Sequence, residues 1–112
     1  MKDYELFNDQ TQAIIYGLHA NAIQRLLDFD YTCGRKTPSI ACIVNPTRAG
    51  THKAFWGTKE ILIPMYRRDI AATAKKYPKA NVMVNFASFR SAYPTTKEAL
   101  EVPTIRTVAI IA

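Results

Sequence analysis

Asn81-Val82-Met83-Val84-Asn85-Phe86-Ala87-Ser88-Phe89-Arg90-Ser91-Ala92-Tyr93 runs from an apolar strand straight into a small, hydroxyl-bearing turn that carries one arginine. A second polar run, Pro94 to Thr96, leads on toward a helix. A strand that stops in a donor-rich turn before a helix is the building unit of an open α/β sheet. Ligands of such sheets sit where strands end and helices begin. Backbone N–H groups at a helix start also favour anions, so this junction is the first candidate for holding a phosphate-bearing ligand.

The same alternation extends in both directions. Upstream, Arg68–Tyr77 reads as a helix with Ile70, Ala71, Ala74 and Tyr77 inward, shut off by Pro78. Glu60–Met65 is a short strand, and Pro64 predicts an edge position or a strand end, because proline cannot donate to a ladder. Thr47–Thr58 reads as loop punctuated by Gly50 and Gly57. Ser39–Val44 is almost continuously apolar, as expected of a strand covered on both faces, and Pro46 ends it. Ala22–Phe29 is a helix with Ile23, Leu26 and Leu27 on one face, stopping near Cys33-Gly34. Ala13–Tyr16 is a short first strand that ends at Gly17. Downstream, Thr95 and Glu98 have capping-box spacing, which predicts a helix start at Thr95 and an end before Pro103. Thr107–Ala112 reads as a last, buried strand.

Strands separated by helices predict an α/β fold: a Rossmann-like, mostly parallel sheet with helices on both faces. The 112 residues suit one domain, 1–112. Nothing follows the last apolar run to cover it. The expectation is therefore an N-terminal fragment of a longer chain, truncated at its C-terminus.

Composition narrows the function. The net charge of +6 suits nucleic acid or a small polyanionic metabolite. The basic residues from Arg35 to Lys79 are dispersed, and Phe55 and Trp56 flank a turn instead of forming an aromatic platform, so no nucleic-acid partner is expected. No apolar run approaches the roughly 20 residues of a membrane span. Met1-Lys2-Asp3-Tyr4-Glu5 lacks the apolar stretch of a signal peptide, so the expectation is a soluble cytoplasmic protein without a membrane partner. Cys33 and Cys42 form no disulfide framework. His19 and His52 have no ligand spacing with cysteine or carboxylate, so no metal site is expected. A G-x-S-x-G elbow is absent, and nothing resembles a self-contained catalytic apparatus.

Three turns carry donors at strand ends. Gly17-Leu18-His19-Ala20 occupies the first strand-to-helix turn, where a Rossmann fold cradles a pyrophosphate. It lacks the full G-x-G-x-x-G, and an ordinary tight turn is the other reading. Pro46-Thr47-Arg48-Ala49-Gly50 puts a guanidinium at the second strand end, as a phosphate clamp or a solvated loop residue. Ser88, Arg90 and Ser91 offer two hydroxyls and a charge at the junction quoted above, unless they are turn residues facing water. An NAD site wants an acidic residue after the second strand. That strand ends Val44-Asn45-Pro46, which argues against a nicotinamide cofactor.

Four blocks go further: Leu26–Arg35, Trp56–Pro64, Asn85–Ala92 and Ile105–Ala112. In this order they resemble the CoA-binding domain of ATP-citrate lyase, related to the start of the succinyl-CoA synthetase α subunit. The resemblance runs from about Leu6 to Ala112. It implies a Rossmann-like domain that binds coenzyme A within an enzyme converting ATP, citrate and CoA to acetyl-CoA, oxaloacetate, ADP and phosphate. It implies that Phe86, Ser88, Arg90 and Ser91 line the CoA site, with Ile111 beside the adenine or ribose. The Gly17, Leu18, His19, Ala20 turn and the loop of Pro46, Arg48 and Gly50 correspond to the other CoA-facing turns. Arg48 stands where succinyl-CoA synthetases have lysine, and Thr47 where animal lyases carry an aromatic. The phosphorylated histidine of the family lies downstream and matches neither His19 nor His52. ATP and Mg are then bound elsewhere, by an ATP-grasp β-type subunit, within an oligomer that also includes the remaining lyase domains. The alternatives are a citryl-CoA or succinyl-CoA synthetase-type ligase α subunit, or a nicotinamide-binding Rossmann domain.

Overall fold

Ile14 and Ile15 are neighbours on strand β1 (Gln12–Tyr16) that point to opposite faces of the sheet, and both are fully buried. β1 is therefore covered on both sides and forms the centre of the structure. The computed structural model describes residues 11–88 and 90–111. From β1, helix α1 (Ala20–Thr32) carries the chain to β2 (Ile40–Asn45), which pairs parallel with β1. β3 (Gly50–Trp56) and β4 (Lys59–Arg67) form an antiparallel hairpin, and β4 pairs parallel with β2. Helix α2 (Ile70–Lys76) then returns the chain to the other side of β1 as β5 (Ala80–Asn85). Helix α3 (Ala92–Leu100) connects β5 to β6 (Thr107–Ile110), again in parallel. The sheet order is β3-β4-β2-β1-β5-β6.

This is the mostly parallel, Rossmann-like α/β sheet that the alternation of the sequence predicts. α1 seals one face by burying Ile23 and Leu27 against Ile15, Ile43, Ile63 and Met65. α2 and α3 seal the other with Ile70, Ala74 and Ala99 against Ile14, Val44 and Met83. Each large aliphatic side chain so buried is worth about 1.5–3 kcal/mol.

Five local expectations are corrected. Gly50–Trp56 is strand β3 and not loop. Among its residues only Ala54 is buried, so it shows no apolar alternation, and pairing with β4 makes the strand. Gly57 and Thr58 close the hairpin between the paired Trp56 and Lys59, and Gly57 has the positive φ (65°) that a two-residue hairpin turn requires. Helix α3 starts at Ala92, so Thr95 lies inside it and is buried, with no capping box. Pro94 fits in its first turn, where its missing N–H would have had no intrahelical partner. β6 is not buried: Ala109 and Ile110 are exposed at the sheet edge, on which α1 does not lie. Leu26 is 36% exposed and Ala71 is exposed, while Thr73 takes an inward place on α2. Pro64 sits inside β4, one residue before the parallel pairing with β2 begins at Met65.

Candidate functional site

α1 leaves β1 toward β2, whereas α2 brings the chain to β5 on the opposite side and opposite face. The ends of β1 and β5 are thus the topological switch point, where an open parallel sheet has its crevice. The ladder continues into the turns: Gly17 N–H donates to Val44 O at 2.8 Å and Phe86 N–H to Tyr16 O at 2.9 Å. Gly17 has φ 92°, and a Cβ built there would stand 3.3 Å from Phe86 Cβ. Glycine is what lets the two turns approach.

A cavity of about 320 Å³ opens at these strand ends. Gly17 and Leu18 form its base, Asn45 and Pro46 one wall, and Phe86, Ala87, Ser88 and Ser91 the other. The second wall is a tight turn: Ser91 and Ala92 N–H both donate to Ser88 O at 2.9 Å, and the Ser88 and Ser91 hydroxyls are 3.2 Å apart. The first wall is held from below. Asn45 Oδ1 accepts from Thr47 N–H (3.0 Å) and Thr47 Oγ1 (2.9 Å). Arg68 Nε donates to Pro46 O at 3.0 Å. Arg68 takes a positive φ of 60°, which leaves its own N–H on Asn45 O at 3.0 Å.

A second, larger lobe of about 530 Å³ lies between α1 and the uncovered face of β5 and β6. Ala22, Arg25 and Leu26 form one side, and Val84, Ala109 and Ile111 the other. Phe86 borders both lobes. Its ring lies 5.0 Å from that of His19, whose Nδ1 accepts from Ala22 N–H at 3.2 Å as the N-cap of α1.

The structure brings Gly17, Leu18, Pro46, Phe86, Ser88 and Ser91 to the polar lobe, and His19, Phe86 and Ile111 to the apolar one. Ala20 (the first residue of α1), Arg48, Gly50 and Arg90 are exposed near these strand ends and line neither lobe. Sequence reasoning missed Asn45, Arg25 and Leu26. The recurrence of asparagine at the ends of β2 and β5 was the signal available for the first; a helix face turned toward an open sheet edge carries none. No group of metal-ligating side chains occurs among the described residues. The strongly shifted groups lie on the far face. Burial pushes the Cys42 thiol up to about 12. Burial, then the hydrogen bond with the Tyr66 hydroxyl, pushes Tyr77 well above its ordinary value. Neither touches the cleft, whose chemistry is recognition: backbone and hydroxyl donors for an anion beside an apolar slot.

A parallel sheet with a glycine turn at its switch point, donor-lined strand exits and an apolar annex defines a nucleotide-binding domain of the Rossmann type. Residues 8–112 match the family described as "CoA binding domain". The chain belongs to the CoA-binding domain family. It is 51% identical over 110 residues to the probable ATP-citrate synthase subunit 1 of Schizosaccharomyces pombe, covering 97% of this chain and 18% of that protein. It is 47% identical to the ATP-citrate synthase of Homo sapiens, covering 99% of this chain and 10% of that one. A mutant ATP citrate lyase of Methanosaeta concilii, solved in complex with (3S)-citryl-CoA, superposes with a TM-score of 0.95 at 63% identity, over 99% of this chain and 18% of that one. The lyase of Methanothrix soehngenii, solved with citrate and coenzyme A, matches with the same scores. The chain thus spans less than a fifth of the length of these relatives. No described helix is long and apolar enough to cross a membrane.

Proposed function

We propose that this chain is the CoA-binding domain of an ATP-citrate lyase, holding coenzyme A for an enzyme that makes acetyl-CoA and oxaloacetate from citrate, CoA and ATP. The observation that carries this reading is the two-lobed cleft divided by Phe86. Coenzyme A is polyanionic at one end and carries a flat base and an apolar thiol arm. It asks for donors beside an apolar slot. Gly17 N–H faces inward to β2, which leaves the Ser88 and Ser91 hydroxyls and the turn backbone to meet phosphate. Arg48 and Arg90 add positive charge near the strand ends, from exposed positions. The identities to lyases support the same assignment, two of them to proteins solved with CoA ligands.

The described residues that line the cleft bind and orient; among them none forms a nucleophile–base pair. His19 is engaged as a helix cap and an aromatic neighbour of Phe86, a positioning role and not that of a phosphorylated histidine. The chemistry on citrate, with ATP and Mg, then belongs to other domains and to an ATP-grasp β-type subunit of a cytoplasmic oligomer.

A nicotinamide reading is disfavoured by Asn45. Its side-chain oxygen is already taken by Thr47, and no carboxylate follows it in the strand exit Pro46–Gly50 for ribose hydroxyls. Calorimetric titration tests both readings: CoA should bind saturably and NADH should not. Binding of NADH in preference to CoA would overturn the assignment.

A further inference from the structure

Asn85 is the last residue of β5 and is fully buried, yet it carries an amide where Ala80, Val82 and Met83 of the same strand carry apolar side chains into the core. It is the last residue of β5 in register with both neighbours, Tyr16 of β1 on one side and Ile110 of β6 on the other. Its side chain lines neither lobe of the cleft. Both ends of its amide bond to the segment just downstream, between Ala87 and Thr96. Oδ1 accepts from Ala87 N–H at 2.8 Å. Nδ2 donates to Thr96 Oγ1 at 3.0 Å and, more weakly, to Ala92 O at 3.4 Å.

We propose that Asn85 is a positioning residue for the CoA cleft: its amide ties the wall Phe86–Ser91 to α3 and so fixes where Ser88, Ser91 and the Phe86 ring stand. The inference rests on the CoA reading of the cleft. The geometry requires an amide. One atom must accept from a backbone N–H while the other donates to a carbonyl and a hydroxyl. Aspartate offers two acceptors and would face Ala92 O with a second oxygen. Leucine or alanine would leave Ala87 N–H without its acceptor in a buried place. The partner wall is built the same way. Asn45 ends β2, is buried, and its Oδ1 accepts from Thr47 N–H at 3.0 Å. Both strands that flank β1 therefore leave the sheet through an asparagine that grips the amide two residues on. The two walls of the cleft diverge from matched side-chain turns.

The test uses the intact polypeptide that carries this domain. Wild type, Asn85→Asp and Thr96→Val are compared by CoA titration, thermal unfolding and amide hydrogen exchange without ligand. Asn85→Asp keeps the size and the acceptor but loses the donor. CoA affinity should fall by roughly tenfold or more, the factor for one well-made bond to a buried group. Exchange over residues 86–92 should speed up while β1 and β2 keep their protection. Thr96→Val removes only the hydroxyl partner and should weaken CoA by about two- to fivefold with the same local exchange signature. A folded Asn85→Asp with wild-type affinity, or a Thr96→Val variant with neither effect, overturns the proposal. So does a loss of affinity that merely follows loss of protection over β1 and β2, which is the mark of a core residue. If Asn85→Asp does not fold, Thr96→Val decides. Wild type that binds no CoA refutes the functional reading instead, and the ligand-free exchange of residues 86–92 still reports whether Asn85 sets the wall.

Discussion

Replacing Gly17 by alanine perturbs the cleft at its base. Two costs add. The φ of 92° lies in the region that L side chains rarely adopt, which is worth about 1–2 kcal/mol. The new methyl would also stand 3.3 Å from Phe86 Cβ and 3.4 Å from Phe86 O. Phe86 cannot simply retreat, because its N–H is held by Tyr16 O at 2.9 Å. Moving it away sacrifices part of the last β1–β5 bond, for a further cost of about 0.5–1.5 kcal/mol. Gly17→Ala should therefore destabilise the domain by about 2–3 kcal/mol, or about 8–20 °C in Tm for a domain of this size. The same displacement moves the Phe86 ring away from His19 and opens both lobes, so CoA affinity should fall as well. Gly34→Ala is the control. Its φ is 81°, but nothing lies within 4 Å of the added Cβ. It should cost about 1–2 kcal/mol of strain and leave CoA binding alone. Urea unfolding and calorimetry on the pair separate strain from the approach of Phe86. Equal stability losses and equal CoA affinities for the two variants would refute the role given to Gly17.

Other perturbations give different signatures. Arg90→Ala in the complete enzyme should raise KM for CoA and not that for citrate, by roughly fivefold for an exposed charge worth about 1 kcal/mol; initial-rate kinetics check this, and equal changes in both constants would remove Arg90 from the site. Gly57→Ala would drive a methyl into the Tyr31 ring and strain a φ of 65°, so it should lower stability by about 2 kcal/mol while CoA titrations stay unchanged. Cys42, held up to about 12 by burial, stays a neutral thiol in the fold after it has begun to ionise in the unfolded chain. Its contribution is complete below the unfolded value near 9 and is lost as pH rises from there toward 12, so unfolding free energy should fall above about pH 9 with a slope approaching 1.4 kcal/mol per pH unit. Cys42→Ala should flatten that slope between about pH 9 and 10, before Tyr77, ordinarily near 10, joins it.

The parallel core was legible because burial on two faces leaves continuous apolar runs, as in Ile40–Val44 and Val82–Val84. β3 was illegible for the converse reason: Lys53, Phe55 and Thr51 face water, and only the partner strand says that they are in a sheet. Thr95 and Glu98 have the spacing of a cap, yet Ser88 O, by taking the N–H groups of Ser91 and Ala92, starts the helix a turn earlier. For the site, Gly17 and the Phe86–Ser91 junction could be read because turn chemistry is local. The apolar lobe could not, since Leu26 and Ile111 are far apart in sequence and meet only because α1 leaves the edge of the sheet open. Arg48 and Arg90 were legible as cations at strand ends, but how far such a side chain reaches toward the cleft is set by the conformation of its turn and not by its place in the sequence.

The central claim is that CoA occupies the crevice at the ends of β1, β2 and β5. Amide chemical shifts followed during titration with CoA test it most directly. The account predicts saturable shifts concentrated at Gly17–Leu18, at Thr47 next to Pro46, over Phe86–Ser91 and at Ile111, with α2 and the outer face of α3 silent. Shifts confined to the exposed face of α3 around Tyr93 and Leu100, or no saturable shift at all, would contradict it.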